Sequence, residues 1–340
     1  MPGSVFLTGS SGFIAQHIVK LLAEKGYKVV GTVRSEAKGE KLKSNVGSDN
    51  FEYEIVPDIQ TKHAFDDALK KHPEVTVVIH AASPFTYDIS DAEKDLVVPA
   101  MEGTRNIFEA ISKYAPQVTR VVVTSSDAAI YSFEGERDPK NSFDESSWNH
   151  VTYEEACKDA VTGYYGSKTF AEKIAWEMSK APDVKYSLTT VNPVYVFGPQ
   201  AFGNEVLETL NVSNELINTI LKKSPSEKFD NDDGGYIDVR DVAKAHVAAF
   251  ELETTKNKRL FMTNGNFSMQ AVVDIINDEF PKLKGNIPIG SPGTSPQDIA
   301  NFSSNSNKAT REILGFDFIP LKKIVVDVVQ QVLDSGKSNY

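Results

Sequence analysis

The feature that most constrains this chain is a β-branched run, Val5–Thr8, which passes through Thr8-Gly-Ser-Ser-Gly-Phe-Ile-Ala15 straight into a helical pattern over Phe13–Lys25. Gly9 permits the tight turn out of the strand. Gly12 lets backbone N–H groups at the helix amino end approach a phosphate. Ala15 is small where the helix must cross the strand. The spacing is G-x-x-G-x-x-A, which departs from the G-x-G-x-x-G dinucleotide fingerprint. A glycine pair of this kind marks nucleotide binding when it sits at the first strand-to-helix junction of an alternating pattern.

The rest of the first half alternates in that way. Strands are expected at Lys28–Val33, Glu52–Val56, Thr76–His80, Arg120–Thr124 and Ser187–Val191, with helical stretches between them such as Val98–Tyr114. Several strands are continuous apolar runs, as in a parallel sheet buried on both faces. After about Val196 the texture changes. Phe197-Gly-Pro interrupts the chain, Glu205–Lys223 has helical periodicity, and Ser224–Gly235 is a polar loop. A helix over Asp238–Glu251 and a strand over Lys258–Thr263 follow, then a proline-punctuated tail with helices near Asn307–Leu314 and Leu321–Leu333. The expected fold is α/β: a doubly wound parallel sheet of Rossmann type with a smaller, mostly helical C-terminal substrate region. Residues 1–195 and 234–265 form the nucleotide-binding part. Residues 196–233 and 266–340 form the substrate part.

Composition narrows the class. The formal charge is -11, and no basic block invites nucleic acid or an anionic membrane. Cys157 is the single cysteine, so neither an intrachain disulfide nor a cysteine-based zinc site is possible, and the six histidines lack metal-ligand spacing. The chain enters a strand at once, and no apolar run reaches membrane-spanning length. These features set the expectation of a cytoplasmic protein without a metal, acting on a small molecule as a monomer or homodimer.

The second strand speaks to cofactor choice. An NAD site places Asp or Glu about 20 residues past the glycine loop, against the ribose hydroxyls. Here the strand ends Val30-Gly-Thr-Val-Arg34-Ser35, with no acid before Arg34. Arg34 offers a planar, permanently charged fork for a 2′-phosphate, and Lys38 lies one helical turn beyond. NADP(H) is the expected cofactor.

Tyr164-Tyr-Gly-Ser-Lys168 carries the candidate chemistry. A spacing of four puts Tyr164 and Lys168 on one helical face, where the cation favours the phenolate and reaches the nicotinamide ribose. Tyr165 has Thr169 at the equivalent place. Val121-Val-Val-Thr-Ser-Ser126 is a strand ending in hydroxyls; Ser126 is placed to polarise a carbonyl, with Ser125 as its rival.

Taken in order, Thr8-Gly-x-x-Gly-x-x-Ala15, His80-Ala-Ala-Ser-Pro84, Thr124-Ser-Ser126, Tyr164-x-x-x-Lys168, Asn192-Pro-Val-Tyr-Val-Phe-Gly-Pro199 and Tyr236-Ile-Asp-Val-Arg-Asp-Val242 resemble the extended short-chain dehydrogenase/reductases of the dihydroflavonol-4-reductase type. Within these the chain is similar to yeast NADPH-dependent aldehyde, ketone and methylglyoxal reductases. The resemblance implies a carbonyl reductase in which Tyr164 donates the proton, Lys168 tunes it and holds ribose, and Ser126 orients the carbonyl. It further implies that Gly9, Ser10, Ser11, Gly12, Phe13 and Ile14 wrap the pyrophosphate, and that Arg34 and Lys38 take the 2′-phosphate. Asp58 and Ile59 would flank adenine, and Pro193 and Val196 the nicotinamide, with Ser213 a further cofactor contact. Phe85, Tyr131, Val161 and Tyr195 would line the carbonyl pocket. Asp127 departs from the family, where an aromatic or small residue commonly follows the serine.

Two other readings share these features. A nucleotide-sugar epimerase or dehydratase of the same architecture would retain tightly bound NAD. A non-catalytic NADP(H)-binding redox sensor would have no need of Ser126, Tyr164 and Lys168 together.

Overall fold

The protein was analysed as a computed structural model, which describes residues 3–83 and 89–336. Its strands, in chain order, are β1 (Ser4–Thr8), β2 (Lys28–Val33), β3 (Phe51–Ile55), β4 (Val75–His80), β5 (Arg120–Thr124), β6 (Ser142–Phe143), β7 (Ser187–Pro193), β8 (Tyr195–Phe197), β9 (Asp233–Asp238), β10 (Lys258–Met262), β11 (Asn266–Ser268) and β12 (Ser304–Asn305). The main helices are α1 (Phe13–Glu24), α2 (Val98–Tyr114), α3 (Ala160–Met178), α4 (Val212–Lys222), α5 (Val239–Glu251), α6 (Met269–Glu279) and α7 (Leu321–Asp334).

Seven strands make one parallel sheet in the order β10-β7-β5-β4-β1-β2-β3. Alternation along each strand feeds two cores. Val5 and Leu7 of β1 and Val122 of β5 belong to one, while Phe6, Val121 and Val123 belong to the other. Helix α2 covers the second face with Ile107, Phe108 and Ile111. Strand order reverses between β1 and β4, and the crevice beyond their carboxyl ends is where open α/β sheets bind ligands.

The second region is mostly helical, as expected, and adds a small sheet. A three-stranded sheet, β11-β9-β8, packs with α4, α6 and α7 around Phe197, Phe267, Ile217, Ile276 and Val328. Strands β8 and β11 are too short to show periodicity, and β9 begins within the segment expected to be a polar loop. Gly235 makes this possible, since a side chain there would lie 2.7 Å from Val194. Helix α4 starts later than Glu205, after a 3-10 turn at Gly203–Glu205. Asn218 of α4 donates to the Glu208 carbonyl at 3.0 Å and Glu215 accepts from the Leu210 N–H at 2.7 Å, so the helix holds that approach as a loop. The motif Tyr236–Val242 proves to be a joint. Asp238 caps α5 by accepting from the Arg240 N–H at 2.7 Å, and Arg240 also pairs with Asp327 of α7.

Candidate active site

A cleft of about 820 Å³ opens over β1, β2 and β4. Gly9 and Gly12 form its floor, Arg34 and Lys38 one wall, Asp58 and Ile59 the far end, and Ala81–Ser83 the opposite side. Gly9 has φ +68°, and a Cβ on it would stand 2.8 Å from the Ala82 Cα. Backbone strain and lost space both demand glycine here. Thr8 fixes that close approach. Its hydroxyl accepts from the Ala81 and Ala82 N–H groups at 3.1 Å each, so its own proton goes to His80 Nδ1 at 2.8 Å. Burial first, then the charge of Lys168, lowers the His80 pKa to about 3, which keeps this histidine neutral.

Not every residue of the glycine loop faces the cleft. Ser10 is fully buried and donates to the Thr32 carbonyl at 3.0 Å, while Gly9 N–H meets the Thr32 hydroxyl at 3.1 Å. Ser10 therefore pins the turn, which corrects its expected place at the pyrophosphate. Phe13 and Ile14 turn their side chains to the core. What they offer a ligand is the amino end of α1, where no side chain caps the N–H groups.

Arg34 and Lys38 are exposed and have no hydrogen-bond or ion-pair partner among the described residues. Asp58 holds a turn by accepting from the Gln60 N–H at 3.0 Å. Ile59 is fixed by Asn106, which donates to its carbonyl at 2.8 Å, and by Gly103, where a Cβ would lie 2.6 Å from its side chain.

The candidate chemistry lies on α3 and at the end of β5. Asp159 caps α3 by accepting from the Thr162 N–H at 2.8 Å, setting the register that carries Tyr164 and Lys168. The Lys168 ammonium is 5.9 Å from the Tyr164 ring centre, and Ser126 Oγ is 3.3 Å from the Tyr164 hydroxyl. Burial lowers the Lys168 pKa to about 8. Among the described residues Lys168 has no hydrogen bond or carboxylate partner, which leaves its donors for a ligand. Ser126 is held from behind, because Asn192 donates to its carbonyl at 3.0 Å. Ser125 is turned away and donates to buried Glu172 at 2.5 Å. Tyr165 points elsewhere too, meeting Phe133 edge-on at 6.4 Å, and burial raises its pKa well above the usual phenol value.

The sequence profile of the NAD dependent epimerase/dehydratase family matches residues 5–261. The chain belongs to this family. An NADPH-dependent methylglyoxal reductase from Saccharomyces cerevisiae is 47% identical over 335 residues, spanning 97% of this chain and 98% of that protein. Two solved structures superpose with a TM-score of 0.95 at 47% identity, covering 98% of this chain and 99% of each of theirs. One is the yeast methylglyoxal/isovaleraldehyde reductase Gre2 complexed with NADPH, the other Gre2 from Candida albicans in complex with NADPH.

In this member of the epimerase/dehydratase family the expected carbonyl pocket is only partly open. Tyr131 is 1% exposed, with its hydroxyl on Asp127, so it presents no surface to a substrate; that expectation is corrected. Val161 is exposed on the first turn of α3, one turn before Tyr164. Tyr195 is half-buried against Phe197 and Phe267. Phe85 lies outside the described residues. Pro193 and Val196 are buried where β7 gives way to β8, and Ser213 sits in the first turn of α4; none of the three lines the cleft. Sequence reasoning missed Thr32, Asn192 and Ala81–Ser83 as site builders. Only the His80-Ala-Ala-Ser-Pro84 motif hinted at the last. At the amino edge of the sheet, Glu52, His72 and Glu74 gather ligand atoms, but the Lys28 ammonium already bonds both carboxylates, at 2.8 and 2.7 Å.

Proposed function

We propose that the chain is an NADPH-dependent carbonyl reductase that converts small aldehydes, ketones or dicarbonyls to alcohols. The observation that carries this reading is the 3.3 Å approach of Ser126 Oγ to the Tyr164 hydroxyl, with Lys168 one turn along the same helix. The relatives named as NADPH-dependent methylglyoxal reductases support it. The cleft fits a dinucleotide: Gly9 leaves backbone-close space, the uncapped end of α1 suits a pyrophosphate, and Arg34 with Lys38 suits a 2′-phosphate. When bound, NADPH supplies the hydride. Ser126 donates to the carbonyl oxygen and so stabilises charge that develops there. Tyr164 gives that oxygen its proton, acting as general acid. Lys168, charged below pH 8, favours the phenolate left behind and holds the ribose hydroxyls. Ser126 is buried and Tyr164 and Lys168 are half-buried, which limits the access of water to the reacting oxygen.

The reading is tested by following NADPH and NADH oxidation with methylglyoxal, isovaleraldehyde and a ketoester. Turnover with NADPH and with at least one carbonyl is expected. Tightly retained NAD, with no carbonyl reduced, would turn the reading towards sugar-nucleotide chemistry.

A further inference from the structure

The residue after the candidate serine is a half-buried carboxyl. Asp127 Oδ1 lies 2.7 Å from Ser126 Oγ and also accepts from the Ala128 N–H at 2.9 Å. Its Oδ2 accepts from the Tyr131 hydroxyl at 2.7 Å, and that hydroxyl is 3.4 Å from Glu136 Oε1. Glu136 is 3% exposed and pairs with Arg137, which pairs in turn with Asp233. The groups facing Asp127 are therefore Ser126 from β5, Tyr131 and Glu136 from the segment that follows, and Tyr164 and Tyr165 from α3, with Arg137 behind Glu136.

A serine hydroxyl has one proton and two lone pairs. Ser126 Oγ accepts from the Ala128 N–H at 3.2 Å. While Asp127 is ionised, the single Ser126 proton goes to it, because a charge-assisted bond outcompetes a neutral one. Nothing is then left for a carbonyl. When Asp127 takes a proton, Tyr131 already donates to Oδ2, so the acid proton sits on Oδ1 and is donated to Ser126 Oγ. The Ser126 proton is released towards Tyr164 and the substrate.

We propose that Asp127 is a positioning residue whose protonation decides whether the Ser126 hydroxyl is offered to the substrate carbonyl or withheld from it. The inference rests on the carbonyl-reductase reading and the assignment of Ser126 within it. Burial favours the protonated form of Asp127, and burial together with the Asp127 charge pushes Glu136 up to about 7.

The test is the pH profile of kcat with NADPH and methylglyoxal, from mildly acidic to mildly alkaline solution. Wild type should lose activity as pH rises and Asp127 ionises, by about 10²-fold if one oxyanion donor is withdrawn. Below pH 8, where Lys168 keeps its charge, Asp127→Asn, which cannot ionise, should be flat, and Ser126→Ala should be flat at a low level. A limb below pH 8 that persists in either variant overturns the proposal. If Asp127→Asn does not fold, Glu136→Gln serves instead: removing the neighbouring negative charge lets Asp127 ionise at lower pH and should move the limb down. An unmoved limb also overturns it. Infrared difference spectra of the cofactor-free protein, acid minus alkaline, should contain a carboxylic-acid C=O band that Asp127→Asn removes. Its absence in wild type would refute the proposal whatever the turnover. A wild type with that band but no carbonyl reduction would instead fault the reductase reading.

Discussion

Ser125 and Glu172 are joined by a 2.5 Å hydrogen bond, and the same buried carboxylate accepts from Arg259 at 2.6 Å, Asn192 at 2.6 Å and Trp176 at 3.0 Å. Two adjacent serines thus have opposite surroundings. One is spent on a structural hub linking β5, β7, β10 and α3; the other faces Tyr164.

The two serines should therefore fail differently. Ser125→Ala leaves Glu172 one donor short and should cost about 1–3 kcal/mol of stability, read as a lower Tm, with kcat largely retained. Ser126→Ala should keep Tm and NADPH affinity while kcat falls. The reverse pattern would make Ser125 the carbonyl ligand.

Arg34 is the residue proposed to read the 2′-phosphate. Arg34→Ala removes a charge-assisted contact worth about 1.5–3 kcal/mol, roughly ten- to a hundredfold in kcat/KM for NADPH. The NADH value should stay level. Equal losses with both cofactors would show that Arg34 supports the fold instead.

Tyr164→Phe removes only a hydroxyl. Carbonyl reduction should fall by about 10²–10⁴-fold, with NADPH binding, followed by fluorescence, unchanged. Tyr165→Phe keeps the ring contact with Phe133 and should remain active. An inactive Tyr165→Phe beside an active Tyr164→Phe would mean the helix register is wrong.

Lys168 is held at a cost to stability. Its pKa falls from 10.5 to about 8 through burial, so the folded state binds its proton less tightly than the unfolded chain does. The penalty is fully present below pH 8 and is relieved as pH rises towards 10.5, a total on the order of 3 kcal/mol. Lys168→Met should raise the Tm of the cofactor-free protein at neutral pH and abolish turnover. That gain should vanish by about pH 10.5. A lower Tm at neutral pH would reveal a partner that stabilises the ammonium.

Much of this was legible from local pattern. The strands of the large sheet, the turn at Gly9 and the pairing of Tyr164 with Lys168 depend on residues close in sequence. Periodicity, a glycine that must adopt φ +68° and an i,i+4 spacing are all written within one or two turns of chain. The choice between Ser125 and Ser126 was not legible. It depends on Glu172 and Asn192, which lie 47 and 66 residues away from the serines they bond. The three-stranded sheet was hidden for a related reason: its two outer strands, of three residues each, owe their existence to pairing with β9 rather than to their own propensity. Tyr131 shows the limit most clearly. An aromatic residue five positions past the candidate serine is an equally good pocket lining or core residue by sequence. Only the carboxyls of half-buried Asp127 and buried Glu136, waiting for a hydroxyl donor, drew it inward. Unpaired polar groups far apart in the chain find one another only in three dimensions, and that pairing decided which side chains face the substrate.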